Sequence, residues 1–192
     1  MKKLILFTIV LASSAAVQAQ DSFIRVDASI GSAFTTGTLK SYGISAAAEP
    51  KFFFNENISL GLRFEGDVLF GGKIGTESSD VTVQMSSRTA SLLKGEYYLG
   101  GGNTKPFFGL MAGYYTQANI GASGNGNASI GASRNFGFAP ELGVTFGNFR
   151  ISGMYHIVAG NEIVAINIGE TATISHSYFV VTLGFKTFQL DL

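Results

Sequence analysis

Between residues 135 and 158 the chain reads NFGFAPELGVTFGNFRISGMYHIV, and apolar residues recur at every second position. Before Gly147-Asn148, residues Phe136, Phe138, Pro140, Leu142, Val144 and Phe146 share one parity, and Gly137, Ala139, Glu141, Gly143 and Thr145 the other. Beyond it, Phe149, Ile151, Gly153, Tyr155 and Ile157 alternate with Arg150, Ser152, Met154 and His156. A period of two is that of a β-strand, whose successive side chains point to opposite faces. Gly147-Asn148 therefore predicts a hairpin turn. In a soluble sandwich the outward parity would be dense in charge, but here the polar parity holds glycine, small residues and single charges. That combination fits strands with lipid on the apolar side and a polar interior on the other.

The same alternation predicts strands over residues 23–34, 41–53, 58–70, 81–99, 107–114, 135–146, 149–158 and 177–188. The cleanest is 58–70, where Ile58, Leu60, Leu62, Phe64, Val68 and Phe70 interleave with Ser59, Arg63, Glu65 and Asp67. Strand 107–114 has aromatics on both parities and leaves its facing open. Eight is an even number, as a single-chain antiparallel barrel requires. The expected fold is thus all-β, an eight-stranded antiparallel transmembrane β-barrel in up-and-down order.

The connections differ in kind. FNEN, GGGNTK and GN are short turns, whereas the segments 71–84, 117–134 and 159–175 are long. Short turns on one rim and long loops on the other is the outer-membrane arrangement. Phe52, Phe53, Phe54, Tyr97, Tyr98, Phe107, Phe108, Phe146, Phe149, Phe185 and Phe188 gather near the short-turn rim, which predicts an interfacial aromatic girdle there. The long segments keep a pattern of their own: IGAS begins at Ile120 and again at Ile130, on either side of Asn125-Gly126, a strong hairpin dipeptide. VTVQM at 81–85 and the run around Gly169-Glu170 alternate as well. These segments are expected to be hairpins protruding beyond the membrane.

Composition narrows the setting. The first residues, MKKLILFTIVLASSAAVQAQ, read as a signal peptide over 1–19 with the cut after Ala19, followed by a barrel domain over 20–192. The apolar run from Leu4 to Ala12 is shorter than the ~20 residues of a spanning helix. Without Lys2 and Lys3 the chain has eleven basic against thirteen acidic residues, so no basic field attracts nucleic acid. There is no cysteine, which excludes disulfides and thiolate metal sites. Hydrophobic residues make up 46% and charged residues only 14%, with 25 Gly and 24 Phe plus Tyr. High hydropathy without spanning helices points to a closed sheet, because in lipid every backbone group must be paired internally.

On KPFFGLMAGYY at 105–115, NFGFAPELGVTFGNFRISGMYH at 135–156 and FVVTLGFKTF at 179–188, the chain resembles the small eight-stranded outer-membrane β-barrels of Gram-negative bacteria, the OmpA-type and OmpX-type group. The resemblance implies an outer-membrane location; no appended peptidoglycan-binding domain is expected, because the eighth strand runs to the end of the sequence. It departs from that group's terminal aromatic, since Gln189 to Leu192 follow Phe188.

Candidate chemistry is sparse. His156 and His176 are the only imidazoles. His176 precedes Ser177, but neighbours on a strand face opposite ways and cannot form a nucleophile and base pair. His176 and Ser177 read as an exposed polar pair, and His156 as a satisfied interior group. No metal-ligand spacing occurs, and Gly71-Gly72-Lys73 lacks the spacing of a phosphate loop. No catalytic residue, metal or cofactor is expected. What remains is the set of charges on the polar parity: Arg25, Lys51, Arg63, Arg88, Lys94, Arg150 and Lys186 against Asp27, Glu49, Glu65, Asp67, Glu96 and Glu141. An eight-stranded barrel is just wide enough to be filled by side chains, so these charges are expected to pair in a plugged structural lumen. The expected protein is a monomer in outer-membrane lipid that meets a surface protein or ligand through its long hairpins. A small-solute or ion pore is the main alternative, followed by a lipid-acting enzyme and a soluble lipocalin-like barrel.

Overall fold

The computed structural model describes residues 22–35, 41–70, 73–76, 79–82, 85–122, 128–167 and 170–192. The expected cleaved segment 1–19, the loop at 36–40, Gly71-Gly72 and the Asn125-Gly126 turn lie outside these. In chain order the strands are β1 (Phe23–Thr35), β2 (Tyr42–Phe53), β3 (Ile58–Phe70), β4 (Lys73–Thr76), β5 (Ser79–Thr82) and β6 (Met85–Tyr98). They continue with β7 (Thr104–Ala122), β8 (Ala128–Phe146), β9 (Phe149–Val158), β10 (Asn161–Asn167), β11 (Glu170–Ser175) and β12 (Tyr178–Asp191). Eight of them close a barrel in the order β1-β12-β9-β8-β7-β6-β3-β2, an antiparallel meander. The closure pairs the first strand with the last, from Phe23 against Asp191 to Thr35 against Tyr178. Among the described residues each barrel strand is paired on both sides around the wall, which is what allows a sheet to sit in hydrocarbon.

Burial follows the parity with inside and outside inverted relative to a soluble protein. Arg63 is 0% exposed, Lys94 1% and Glu141 2%, while Leu142 is 70%, Phe149 60% and Ile30 60% exposed. Such an apolar outer wall is stable only against acyl chains, so the barrel spans a lipid bilayer. The strand of uncertain facing now has one: on β7, Phe107, Met111 and Tyr115 turn inward and Phe108, Leu110 and Tyr114 outward.

The short rim consists of the turn between β2 and β3, the turn between β6 and β7, and Gly147-Asn148. Gly147 has φ 56°, which suits glycine in the first central position of a two-residue hairpin. On the opposite rim, β7 and β8 stay paired over nineteen positions, out to Ala122 against Ala128. β4 with β5 and β10 with β11 form separate two-stranded sheets. The strand expected over 81–99 is therefore divided, with 79–82 belonging to a protruding hairpin and the wall strand beginning at Met85. At the C-terminal end, β12 continues past Phe188 to Asp191. A bulge at Val26/Asp27 takes up one extra residue opposite, and Thr187 Oγ1 there donates to the Val26 carbonyl at 2.9 Å.

The aromatic girdle needs correction. Tyr97, Phe108, Phe146, Phe149, Phe185 and Phe188 do face outward, but Phe53, Tyr98 and Phe107 are buried within the barrel, packed with Phe23. Phe23 and Phe53 stack with centroids 4.4 Å apart, and Tyr98 contacts Phe53 at 5.6 Å and Phe107 at 5.3 Å. Phe107 fits because its cross-strand partner is Gly143. A Cβ on Gly143 would stand 2.5 Å from both the Phe107 ring and the Ile151 carbonyl oxygen, so one of them would have to shift. These rings form an aromatic layer across the short-turn end of the lumen.

Candidate functional site: the charged lumen

Above the aromatic layer, adjacent strands project ionic side chains into one volume. The pairing register places Asp27 beside Glu49 and Arg25 beside Lys51. Arg25 grips Asp27 with Nε at 2.7 Å and Nη2 at 2.9 Å. Lys51 Nζ bridges Asp27 at 2.9 Å, Glu49 at 2.6 Å and Glu96 at 2.9 Å. Lys94 Nζ reaches Glu49 at 2.8 Å, Glu96 at 3.0 Å and Glu141 at 2.7 Å. Arg150 Nη2 lies 2.6 Å from both Glu96 and Glu141. Arg63 pairs with Glu49 and holds Glu65 with Nη2 at 2.5 Å and Nε at 2.7 Å.

Five cations thus meet five carboxylates in a network that crosses from wall to wall. Neutral donors complete it, since Ser59 and Tyr98 hydroxyls donate to Glu96 at 3.0 and 2.9 Å and the Tyr178 hydroxyl to Glu65 at 3.1 Å. Taking such charges out of water costs several kcal/mol each, and only pairing and hydrogen bonds of this density offset it. The network meets the aromatic layer face-on, with the Arg25 guanidinium 4.4 Å from the Phe53 centroid and that of Arg150 4.0 Å from Phe107.

Three of the sequence-selected charges stand outside this core. Asp67 and Arg88 face each other in register on β3 and β6, nearer the long-loop rim. Arg88 lies over the Tyr178 ring at 4.8 Å and donates Nη1 to the His176 carbonyl at 3.4 Å. Lys186 is only half-buried and sits at the short-turn mouth, separate from the network. The other ten are the ones brought together.

His156 is fully buried, with Nδ1 3.0 Å from the Tyr115 hydroxyl, its ring stacked 4.3 Å from Tyr178, and Nε2 3.5 Å from Glu65. His176 is not the exposed residue expected: it is 4% exposed, and its Nδ1 lies 3.0 Å from Gln117 Oε1. It turns inward where the chain re-enters the wall ahead of β12, capping the lumen instead of lying on the surface. Around these rings, Leu69, Leu92, Met111, Met154, Val158 and Val180 fill the long-loop half. The role of Tyr115 and Tyr178 as inward partners of the charges was missed in the sequence, although both lie on the inward parity of their strands.

At the short rim, the exposed Glu56 carboxylate accepts from Lys105 Nζ at 2.9 Å. That hydrogen bond, with the lysine's charge, holds the Glu56 carboxyl below the usual glutamate range.

No protein-family model matches the chain, and no curated protein matches it in sequence. Solved structures do. Neisserial surface protein A (NspA) aligns over 86% of this chain and 96% of its own, with TM-score 0.51 and 14% identity. The N-terminal β-barrel domain of Pseudomonas aeruginosa OprF (TM-score 0.43, 15% identity, 90% of this chain and 100% of that one) aligns more loosely. So does Ail, the attachment invasion locus protein of Yersinia pestis (0.47, 12%, 87% and 99%). At such identities the likeness concerns the fold, and the first of the three carries it, together with the closed meander and the lipid-facing wall described above. The chain has the fold of the small eight-stranded outer-membrane β-barrels, the architecture of the OmpA-type and OmpX-type group.

Proposed function

We propose that the protein resides in the outer membrane as a filled, non-enzymatic barrel that displays hairpins at the cell surface. The observation that carries this reading is the length of β7 and β8. A transmembrane strand needs about 9–11 residues, and each of these has nineteen. The excess of roughly eight residues extends about 25 Å along the strand direction at 3.4 Å per residue. A hairpin of that reach stands clear of the lipid, beside the β4-β5 and β10-β11 hairpins. The short turns offer little surface, and the outer wall is committed to acyl chains, so a partner protein or ligand would meet the long-loop rim. Free strand edges there suit β-augmentation, in which a partner strand adds through backbone hydrogen bonds. The ion-paired network has a structural role in this reading, keeping the barrel rigid.

The experiment has two parts. The protein should fractionate with the outer membrane and run as a heat-modifiable monomer. Deletion of residues 122–128 should leave insertion intact and weaken binding to surface partners recovered with the whole protein. Recovery from the soluble periplasm with the same gel mobility before and after boiling would refute the location. Undiminished partner binding after removal of all three hairpin tips would refute the display role.

A narrow ion path is the second reading. It draws on the polar atoms buried near the long-loop end, those of Asp67, Ser45 and Arg88, with Arg88 Nε lacking a hydrogen-bond partner among the described residues. Water would satisfy it. A path starting there would still have to cross the five-against-five network and the aromatic layer beneath it.

A further inference from the structure

The short-turn mouth holds a cavity of about 220 Å³ lined by Phe23, Arg25, Phe53, Lys105 and Lys186, among others. We infer that this cavity is a binding site for a small soluble oxyanion, a carboxylate or phosphate, on the periplasmic side of the barrel.

Charge is the first argument. Of the thirteen inward charges selected from the sequence, twelve balance, six basic against six acidic, and Lys186 is the one left over. Its charged neighbours are Arg25, Lys105 and Asp27, and Asp27 is already shared by Arg25 and Lys51. The single carboxylate lining the cavity, Glu56, is engaged by Lys105 and has 68% of its side chain exposed. Three cations therefore line a partly enclosed space with one carboxylate, and Lys105 already engages that carboxylate as Asp27 engages Arg25. Lys186 is left sharing Asp27, its cross-strand neighbour, with Arg25 and Lys51, and a bound anion would give it a partner of its own.

Shape is the second argument. The Phe23 and Phe53 stack and the Tyr98 ring form one apolar side. The turn residues Gly102, Asn103 and Gly147 form the outer edge. The volume suits a small organic anion better than a single water, with its apolar part on the rings and its oxygens toward the lysines. Arg25, Phe53 and Tyr98 point into the lumen, so a phospholipid headgroup tethered outside the wall is poorly placed to enter.

The test uses the full barrel in nanodiscs of zwitterionic lipid, titrated with sodium phosphate or sodium benzoate while the amide resonances of Gly102, Asn103 and Lys186 are followed. Saturable shifts at these residues are expected, with affinity falling at least about tenfold in Lys186→Gln, a loss of one charge-assisted contact. Lys186→Arg should retain binding. Heat-modifiable mobility checks that each variant is folded. Absence of saturation with either salt, or equal affinity in folded Lys186→Gln, would overturn the assignment. If phosphatidylglycerol in the nanodisc reproduced the shifts without added salt, the ligand would be a lipid headgroup and the soluble-anion proposal would fail.

Discussion

Replacing Arg63 with alanine separates a structural network from an ornamental one. Arg63 is fully buried and holds two carboxylates, Glu49 and Glu65. Their fates differ when it is removed. Glu49 keeps Lys51 at 2.6 Å and Lys94 at 2.8 Å. Glu65 is left with the Tyr178 hydroxyl at 3.1 Å and His156 Nε2 at 3.5 Å. The cost should therefore fall on Glu65, and breaking one partner of a buried pair costs about 3–5 kcal/mol. Urea unfolding in lipid vesicles measures it. Far-ultraviolet circular dichroism and heat-modified gel mobility are the suitable signals, because the chain has no Trp. Arg63→Met combined with Glu65→Gln removes both charges while preserving volume, and should recover more than half of the loss. A single variant within about 1 kcal/mol of the parent, or a double variant as unstable as the single, would refute the reasoning.

Three further outcomes follow from the wall, the aromatic layer and the short rim. Leu62→Arg, on the lipid face of β3, should destabilise the inserted barrel by about 2–4 kcal/mol; an unchanged midpoint in vesicles would mean that this face does not meet hydrocarbon. Gly143→Val meets both the Phe107 ring and the Ile151 carbonyl, so it should displace the ring and cost at least about 1–3 kcal/mol through overpacking, read as loss of the ring's cross-strand contacts in NMR spectra. Glu56, held by Lys105, should titrate below an ordinary glutamate when folded. Because its folded pKa is depressed, its contribution to stability is present above the unfolded pKa and disappears as pH falls through the folded one. NMR titration of the Glu56 carboxyl should show an ordinary value in Lys105→Gln, and an unmoved value would contradict the pairing.

Which way each side chain points was legible wherever parity was clean. On β3, the expected inward residues Ser59, Arg63, Glu65 and Asp67 are all buried, and Leu69 on the same parity joins them. The inward aromatics were legible too, had parity been followed to the strand ends: Phe53 shares the parity of Glu49 and Lys51, and Tyr98 that of Lys94 and Glu96. Grouping them by nearness to the rim obscured this. What could not be read was anything depending on register between strands. Lys94 meets Glu49 and Glu141 only because β2, β6 and β8 bring them to one level. His176 offered no local signal either, since its inward turn depends on Gln117, 59 residues away. Lys186 carries the inward parity, but its place at the mouth depends on the end of the barrel at which β12 is bulged.

Single-channel recording in planar bilayers tests the filled lumen most directly. With five cations locked to five carboxylates above a packed aromatic layer, the purified barrel should show no sustained conductance steps. The Phe53→Ala and Arg63→Ala variants should become leaky if they remain inserted. Reproducible, long-lived openings of the unmodified barrel, with conductance that changes on replacing Arg63 while stability does not, would contradict a plugged structural core and identify the same charges as the lining of a pore.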